Sequence, residues 1–371
     1  MAETYGTVIT DEMVNRMKKD YEAQMKEVND ITSKRISKTY PDMNEFYSDT
    51  SFYREEVFTA EDLGFFSNTA LFELYYFNSL HVDEGFQKFD PDKVAEIEMK
   101  MYGISGSAAK LIRSQYDKFN QRYLEVVDNK EYKHLFPAQS VFGTHLLLFK
   151  TMFKTLLLES LILTILVTAY VMNFEFDRGT YLLAYSTKRG RELWIDKIWA
   201  ALITNFGMWT LIMASSLIAY FNVFSYREFW HVPISSYFNA GKEWFMSWWN
   251  LSFLDYLSAV IILAYLLIIL FTLMTVIFTR WIHNSYLVFF LFVFLFGVIF
   301  AIPGWIPSHN IAYVFSFFTP VNLILNSFEW FMYRPVKFTA YFEIITVAVW
   351  LVLLLFATLF CIKSFRKHDL K

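Results

Sequence analysis

The chain divides near residue 140 into two parts with different hydrophobic patterns. Up to that point apolar residues recur at helical spacing among many charges, whereas later they form runs of about 20 residues with few charges. These runs predict membrane-spanning helices over about 152–173, 198–222, 255–278, 285–302 and 341–362. Only helices satisfy every backbone polar group within a single segment that crosses lipid, so we predict an all-α polytopic membrane protein with five visible spans.

The part before the first span is predicted to be a mostly helical domain over residues 1–145, followed by a transmembrane domain over 146–371. Thr10 and Asp11 form a helix-start signal, after which apolar residues repeat on one helical face: Met13, Met17, Tyr21 and Met25. A later helical stripe consists of Ala108, Leu111, Ile112, Phe119, Tyr123 and Val126. The apolar stretch 65–78 carries Glu73 and is short for a span, so we interpret it as core of this domain.

Composition and charge narrow the classes of function. Hydrophobic residues make up 55% of the chain and charged residues 19%, and a net charge of −3 without a basic tract gives no sign of nucleic-acid binding. Cys361 is the single cysteine, which excludes a disulfide framework and a cysteine-based metal site. The seven histidines show no metal-ligand spacing, so we predict no metal site.

The loops between the spans differ in their content of Lys and Arg, which sets the orientation of membrane helices. One side carries ten basic residues: Arg178, Lys188, Arg189, Arg191, Lys197, Arg280, Lys363, Arg366, Lys367 and Lys371. The other side carries four: Arg227, Lys242, Arg334 and Lys337. We therefore predict that the C-terminus is cytoplasmic and that residues 1–145 are extracytoplasmic, although Lys150 and Lys154 flank the outer end of the first span and argue the other way.

This topology leaves residues 1–145 outside with no signal peptide or span before them. We therefore expect a first span upstream of Met1. The alternative is that residues 64–80 form a poor sixth span.

The last outer loop, about 303–337, is too apolar for a water-soluble loop and is rich in interfacial Trp and Tyr. We expect it to enter the outer leaflet as short helices that are broken at Pro303, Pro307 and Pro320.

The stretch between the first two spans, 173–197, has a characteristic order. An acidic residue is followed by Gly-Thr, a short apolar helical turn, a cluster of small polar and basic residues, and a trailing lysine. The residues concerned are Glu175, Arg178, Gly179, Thr180, Ser186, Thr187, Lys188, Arg189, Arg191 and Lys197. This order resembles the first cytoplasmic loop of ABC-2-type ABC transporter permeases, most closely the Gram-positive type with a large outer domain after the first of six spans.

The resemblance implies an exporter permease in a bacterial plasma membrane, working as a pair of identical or related subunits. It implies that the loop is a coupling helix seated in a cleft of a separate ABC ATP-binding subunit, which holds ATP and Mg. The chain itself would then carry no cofactor and would not be an enzyme. The substrate stays open among a peptide antibiotic, a drug and a lipid-like molecule.

The residues of the loop allow a physical account beside the resemblance. Gly179 and Thr180 predict a turn and an N-cap, residues 181–185 a short helix, and Ser186-Thr187 with Gly190 the end of that helix and the cap of the next. The competing interpretation is that the basic residues only follow the positive-inside rule and meet anionic lipid.

Three other features of the sequence are candidate sites. The glycines of "GISGSAAK" at 103–110 lack the spacing of a phosphate loop, so we interpret them as a helix break. Glu159 lies inside the first span, where it either lines a transport path or is solvated near the outer end. Arg280 and His283 form a short second cytoplasmic loop, which either makes a minor ATPase contact or carries a basic residue that snorkels to the interface.

Two other classes of function compete with the exporter. A membrane-anchored sensor would use the N-terminal domain as its receptor, although five spans are more than an anchor needs. An intramembrane enzyme would need a polar constellation within the spans, and the sequence suggests none.

Overall fold

The computed structural model describes residues 1–51, 54–136, 147–187, 189–190, 192–239, 246–333 and 339–367. Within these ranges the named elements are helices, and no strand is present. The first eight are α1 (Ala2–Tyr5), α2 (Asp11–Ile36), α3 (Met43–Thr50), α4 (Arg54–Val57), α5 (Ala60–Leu80), α6 (Val82–Gln87), α7 (Pro91–Met101) and α8 (Gly106–Asp128). The others are α9 (Lys154–Asp177), α10 (Tyr181–Ser186), α11 (Leu193–Val223), α12 (Phe253–Thr279), α13 (Ser285–Trp305), α14 (Ile311–Phe315), α15 (Pro320–Leu325) and α16 (Phe342–Lys367).

Five of these helices are long and apolar enough to cross a membrane. They are α9, which a π-helical turn at Leu147–Phe153 extends, together with α11, α12, α13 and α16. Each overlaps one predicted span and differs from it by a few residues at either end. The prediction of five visible spans is confirmed, and the chain is a multi-pass membrane protein.

The helix α12 lies at the centre of the bundle, and most of its apolar stretch is buried. It packs against α9, α11 and α16, whereas α13 packs against α9 and exposes most of its surface. Asn205 of α11 donates to the hydroxyl oxygens of Thr168 in α9 (2.8 Å) and Thr272 in α12 (3.0 Å), all three side chains being buried. Interhelical hydrogen bonds of this kind hold spans together where lipid offers no hydrophobic driving force between them.

The N-terminal segment, residues 1–136, consists of α1 to α8, and its helices begin and pack largely as the sequence predicts. The Thr10 hydroxyl accepts from the Met13 N–H, and the four predicted apolar residues of α2 are buried. α5, which contains the stretch 65–78, packs against α2 and is not among the membrane-length helices. Its Glu73 is buried and accepts from the Tyr21 hydroxyl and from the Met43 N–H (2.8 Å). The interpretation of this stretch as core of the segment is confirmed.

The stretch 103–110 is a helix break, as predicted. α7 ends at Met101 and α8 begins at Gly106, with Gly103 and Gly106 both at positive φ. A Cβ on Gly106 would lie 2.8 Å from the carbonyl oxygen of His309, so glycine is required by a close approach as well.

The N-terminal segment is fastened to the loops at one end of the bundle. Arg122 of α8 is buried, forms a two-pronged ion pair with Glu131 (2.9 and 2.6 Å), and donates to the carbonyls of Ser247 (3.3 Å) and Trp249 (3.2 Å). The Ser107 hydroxyl donates to the His309 carbonyl (3.2 Å). We call this end of the bundle the N-terminal-segment end.

The loop after α13 departs in one respect from the prediction. Its short helices α14 and α15 are present, and Pro320 begins α15, but Pro303 does not break the chain: α13 runs through it to Trp305. Because Pro303 has no N–H, one carbonyl near the end of α13 loses its helical hydrogen bond. At the end of a membrane helix, other groups can satisfy that carbonyl. The predicted break at Pro303 is therefore wrong.

Candidate functional site

A short helix, α10, lies between the first two membrane-length helices. Gly179 precedes it at φ 70°, and Thr180 occupies its N-cap position, although the Thr180 side chain makes no capping hydrogen bond. Leu182 and Leu183 are 53% and 75% exposed, whereas Tyr185 is buried. The predicted short helix is confirmed, and it turns one aromatic residue inward and two leucines outward.

The helix α10 ends at Ser186, as predicted, but the predicted cap of the following helix is not formed. The Ser186 hydroxyl donates to the Leu183 carbonyl and the Thr187 hydroxyl to the Ala184 carbonyl, both at 2.9 Å. These hydroxyls therefore satisfy the last turn of α10 itself. The following helix has Glu192 at its N-cap, without a side-chain capping bond. The prediction that Ser186, Thr187 and Gly190 cap the next helix is wrong, because the hydroxyls turn back to the helix they follow.

Gly190 has a packing role that its position in the sequence does not reveal. It is buried, and a Cβ at this residue would lie 2.4 Å from the Ala184 carbonyl oxygen and 2.6 Å from the Tyr185 Cα. Both contacted atoms belong to the backbone, so they cannot move aside by a side-chain rotation. A residue without a side chain is what lets the chain after α10 pass against its last turn.

The two ends of the predicted motif, Glu175 and Lys197, meet as a buried ion pair. Their exposed fractions are 9% and 7%, and the Lys197 ammonium donates to the Glu175 carboxylate and to the Met172 carbonyl (2.9 Å). The Tyr185 hydroxyl donates to the same carboxylate at 3.4 Å. Burial and the charge of Glu175 both raise the pKa of Tyr185, so its hydroxyl stays protonated and remains a donor. One carboxylate thereby joins α9, α10 and α11.

The second predicted loop, 280–284, lies beside the first. The ring of Phe176 is stacked between Tyr181 (centroids 5.0 Å apart) and His283 (4.0 Å). The Asn173 amide donates to the Ile282 carbonyl (3.2 Å), and the Ser285 hydroxyl donates to the Asp177 carboxylate (2.8 Å). His283 is therefore part of the surface around α10.

The last turns of α16 complete this end of the bundle. Phe365 lies against Tyr185 of α10 (ring centroids 5.1 Å apart) and is stacked on Trp194 of α11 (5.7 Å). The guanidinium of Arg280 lies over the Phe365 ring, 5.6 Å from its centroid. Parts of α9, α11, α12 and α16 thus surround α10, and we call this end of the bundle the α10 end.

The remaining predicted residues are distributed as follows. Arg178 is exposed, and its guanidinium lies 5.8 Å from the ring centroid of Phe174. Arg189 is exposed and pairs with Asp196 (3.4 Å). Lys188 and Arg191, two members of the predicted basic cluster, lie outside the described residues.

Glu159 lies far from this group, five residues into α9 from the N-terminal-segment end. It is exposed on the surface of the bundle, whereas Ser160, Thr164 and Thr168 of the same helix are buried. A transport role for Glu159 stays a prediction.

Several polar groups of the α10 end hold helices together, among them Glu175, Lys197 and Asn173. The described part of the chain contains no group of three or more His, Cys, Asp or Glu able to hold a metal ion. Sequence reasoning missed Phe176, Tyr185, Trp194 and Phe365 as the residues that seat α10. Their aromatic character at the ends of apolar runs was the available signal, but it is shared by many interfacial residues.

Comparison of the chain with protein-family models, curated proteins and solved structures gave no match.

Proposed function

We propose that this chain is the transmembrane subunit of an ABC-2-type exporter, and that α10 is the element through which a separate ATP-binding subunit drives it. The observation that carries the proposal is that one short helix is packed firmly against the bundle on one side and exposes apolar side chains on the other. Tyr185 and Gly190 fix α10 against the bundle, and Leu182 and Leu183 point away from it.

The seating supports a coupling role because force can only be transmitted through an element that does not yield. Through Tyr185 and Glu175, α10 is joined to the last turn of α9, and through Lys197 to the first turns of α11. Closely packed interiors transmit displacement rather than absorb it. A push on α10 would therefore move the ends of two membrane helices together.

The outer surface of α10 supports a protein partner. Burying an exposed leucine side chain contributes about 1.5–3 kcal/mol, so Leu182 and Leu183 supply a small apolar anchor. Arg178 and Arg189 are exposed on either side of α10 and provide a polar rim. An apolar centre with a charged rim is typical of protein interfaces.

The mechanism that follows is alternating access. The ATP-binding subunit holds ATP and Mg, closes on ATP and pushes α10, and the spans reorient to release substrate on the other side. The chain works as a pair with an identical or related permease subunit and is not itself an enzyme. The α10 end lies in the cytoplasm with the C-terminus, and the N-terminal segment lies outside the plasma membrane. α10 and the N-terminal segment lie at opposite ends of the bundle, and the larger number of Lys and Arg residues at the α10 end supports this orientation.

The proposal is tested by purifying the intact membrane complex of the tagged chain, co-expressed with the open reading frames that neighbour its gene. We expect a co-purifying polypeptide that carries the G-x-x-x-x-G-K-[ST] motif and hydrolyses ATP. Leu183→Glu should abolish its recovery, because a charge would enter the interface. The matched control is Leu124→Glu, at a leucine that is 60% exposed on α8.

If the unmodified chain recovers no ATPase, the exporter loses its main support and the membrane-anchored sensor takes its place. Retention of the ATPase by Leu183→Glu would mean that the site of contact is not α10, and loss of the ATPase with both leucine variants would mean that the loss is not specific to this helix.

A further inference from the structure

A cavity of about 590 Å³ lies where the N-terminal segment meets the membrane helices. One wall is a single face of α8, formed by Leu111, Gln115 and Lys118 at i, i+4 and i+7. A second wall is formed by Tyr341 and the first turns of α16 up to Val349, and the cavity is completed by α14 and the turn after it. The volume is within the range of ligand sites in proteins, about 300–1,000 Å³.

The wall formed by α16 belongs to a helix that is long and apolar enough to cross a membrane. Tyr341 lies at the start of a membrane-length helix and contacts Trp249 edge-on (ring centroids 5.0 Å apart), as expected of interfacial aromatics. Ile345 and Val349 follow one and two turns deeper and are both partly exposed. At 1.5 Å per residue, the distance from Tyr341 to Val349 along the helix is about 12 Å. This side of the cavity is apolar and open to lipid.

The wall formed by α8 carries one polar and one positively charged side chain beside Leu111. Lys118 is exposed and makes no hydrogen bond or ion pair with any residue that the structure describes, and Gln115 lies one turn before it. A lysine near a membrane surface attracts anionic lipid headgroups by about 1 kcal/mol. The cavity therefore combines a cationic group, Lys118, with an apolar wall formed by Ile345 and Val349.

We propose that this cavity binds a phospholipid of the surrounding bilayer with an anionic headgroup. One acyl chain lies along Ile345 and Val349, and the phosphate meets Lys118. Such a lipid bridges α8 and α16, and so strengthens the attachment of the N-terminal segment to the bundle. The inference stands on this cavity alone and does not depend on the proposed function.

The test is native mass spectrometry of the full chain in a neutral detergent, titrated with phosphatidylglycerol or phosphatidylcholine. We expect one phosphatidylglycerol to bind in preference to phosphatidylcholine. Lys118→Gln should lower the affinity for phosphatidylglycerol about five-fold, to the level of phosphatidylcholine, because it removes one headgroup contact. Val349→Trp should reduce the binding of both lipids, because the indole fills the apolar part of the cavity.

Two matched variants keep the test specific. Lys100→Gln removes an exposed lysine of α7, and Val352→Trp changes a valine of α16 that is as exposed as Val349 but does not line the cavity. Both should bind phosphatidylglycerol like the unmodified chain. Equal binding of the two lipids, or equal effects of the two Trp variants, would show only unspecific lipid around the bundle and overturn the proposal. A second copy of the chain bound in place of lipid would overturn it as well.

Discussion

The ammonium of Lys197 lies on the buried carboxylate of Glu175, and this pair joins the last turn of α9 to the start of α11 beneath α10. Buried ion pairs add little stability over apolar residues of the same size, but removing one partner leaves an uncompensated charge. We therefore interpret the pair as a source of structural specificity, which favours one arrangement of the three helices over others. In the exporter that we propose, this arrangement is what carries movement from α10 to the spans.

Replacing one member of the pair tests this interpretation. Lys197→Met should lower the free energy of unfolding by about 3 kcal/mol, because Glu175 stays buried without its cation. The double variant Glu175→Gln with Lys197→Met should regain most of the loss, since no buried charge remains. Unfolding in detergent micelles, followed by circular dichroism against denaturant, measures both. Lys363→Met, at an exposed lysine of α16, is the control. A double variant as unstable as the single one would contradict this view.

A second prediction concerns Gly190. Gly190→Ala should lower the free energy of unfolding by about 1–3 kcal/mol, because the new Cβ meets the backbone of Ala184 and Tyr185 and displaces α10. Recovery of the ATP-binding subunit should fall as well. The control is Gly207→Ala in α11, where a Cβ would meet no atom within 4 Å. That change should be neutral or slightly stabilising, since alanine is the better helix former. Equal behaviour of the two variants would mean that the contact at Gly190 is unimportant.

Much of the fold is predictable because it depends on patterns that are local in sequence. Five apolar runs correspond to five membrane-length helices, and the stripe beginning at Met13 is the buried face of α2. Pro303 does not break α13 as predicted, because a proline near the end of a membrane helix costs one hydrogen bond rather than the helix.

The candidate site was less predictable, for a physical reason. Glu175 and Lys197 are both visible in the motif, but their pairing depends on how α9 and α11 pack, which no spacing of 22 residues reveals. Likewise, Gly190 looks like a helix breaker in the sequence, whereas its role comes from a backbone approach that exists only once α10 is seated.

The attachment of the N-terminal segment should depend on pH through Asp83. Burial opposes its ionisation, but hydrogen bonds from the Lys133 ammonium (2.7 Å) and the Tyr132 hydroxyl (2.6 Å) outweigh this, so the pKa of Asp83 lies below its usual value. A carboxyl with a lowered pKa stabilises the fold above its unfolded pKa, about 4, and loses this contribution as the pH falls through the folded value. Tyr132 also contacts the loop after α11, since its carbonyl accepts from the Tyr237 N–H (3.1 Å). Protonation of Asp83 should therefore weaken the contact between the N-terminal segment and the bundle.

The measurement is the melting temperature of the unmodified chain and of Asp83→Asn between pH 3 and pH 7. The variant should be less stable at pH 7, and the difference should vanish towards pH 3. Glu84→Gln, at the neighbouring exposed residue, should follow the unmodified chain. A difference that does not change with pH would show that the Asp83 charge is not involved.

Replacing the basic cluster after α10 distinguishes a role in coupling from a role in membrane orientation alone. Replacing Lys188, Arg189 and Arg191 together with Ala should leave ATP hydrolysis by the partner running while transport per ATP falls about tenfold, since each surface charge contact contributes about 0.5–1 kcal/mol. The topology is checked by labelling single cysteines placed on either side of the membrane. Lys363→Ala with Arg366→Ala removes charges from the same end and should leave coupling intact. Unchanged transport, or a loss that appears only with inverted topology, would assign the cluster to the positive-inside rule alone.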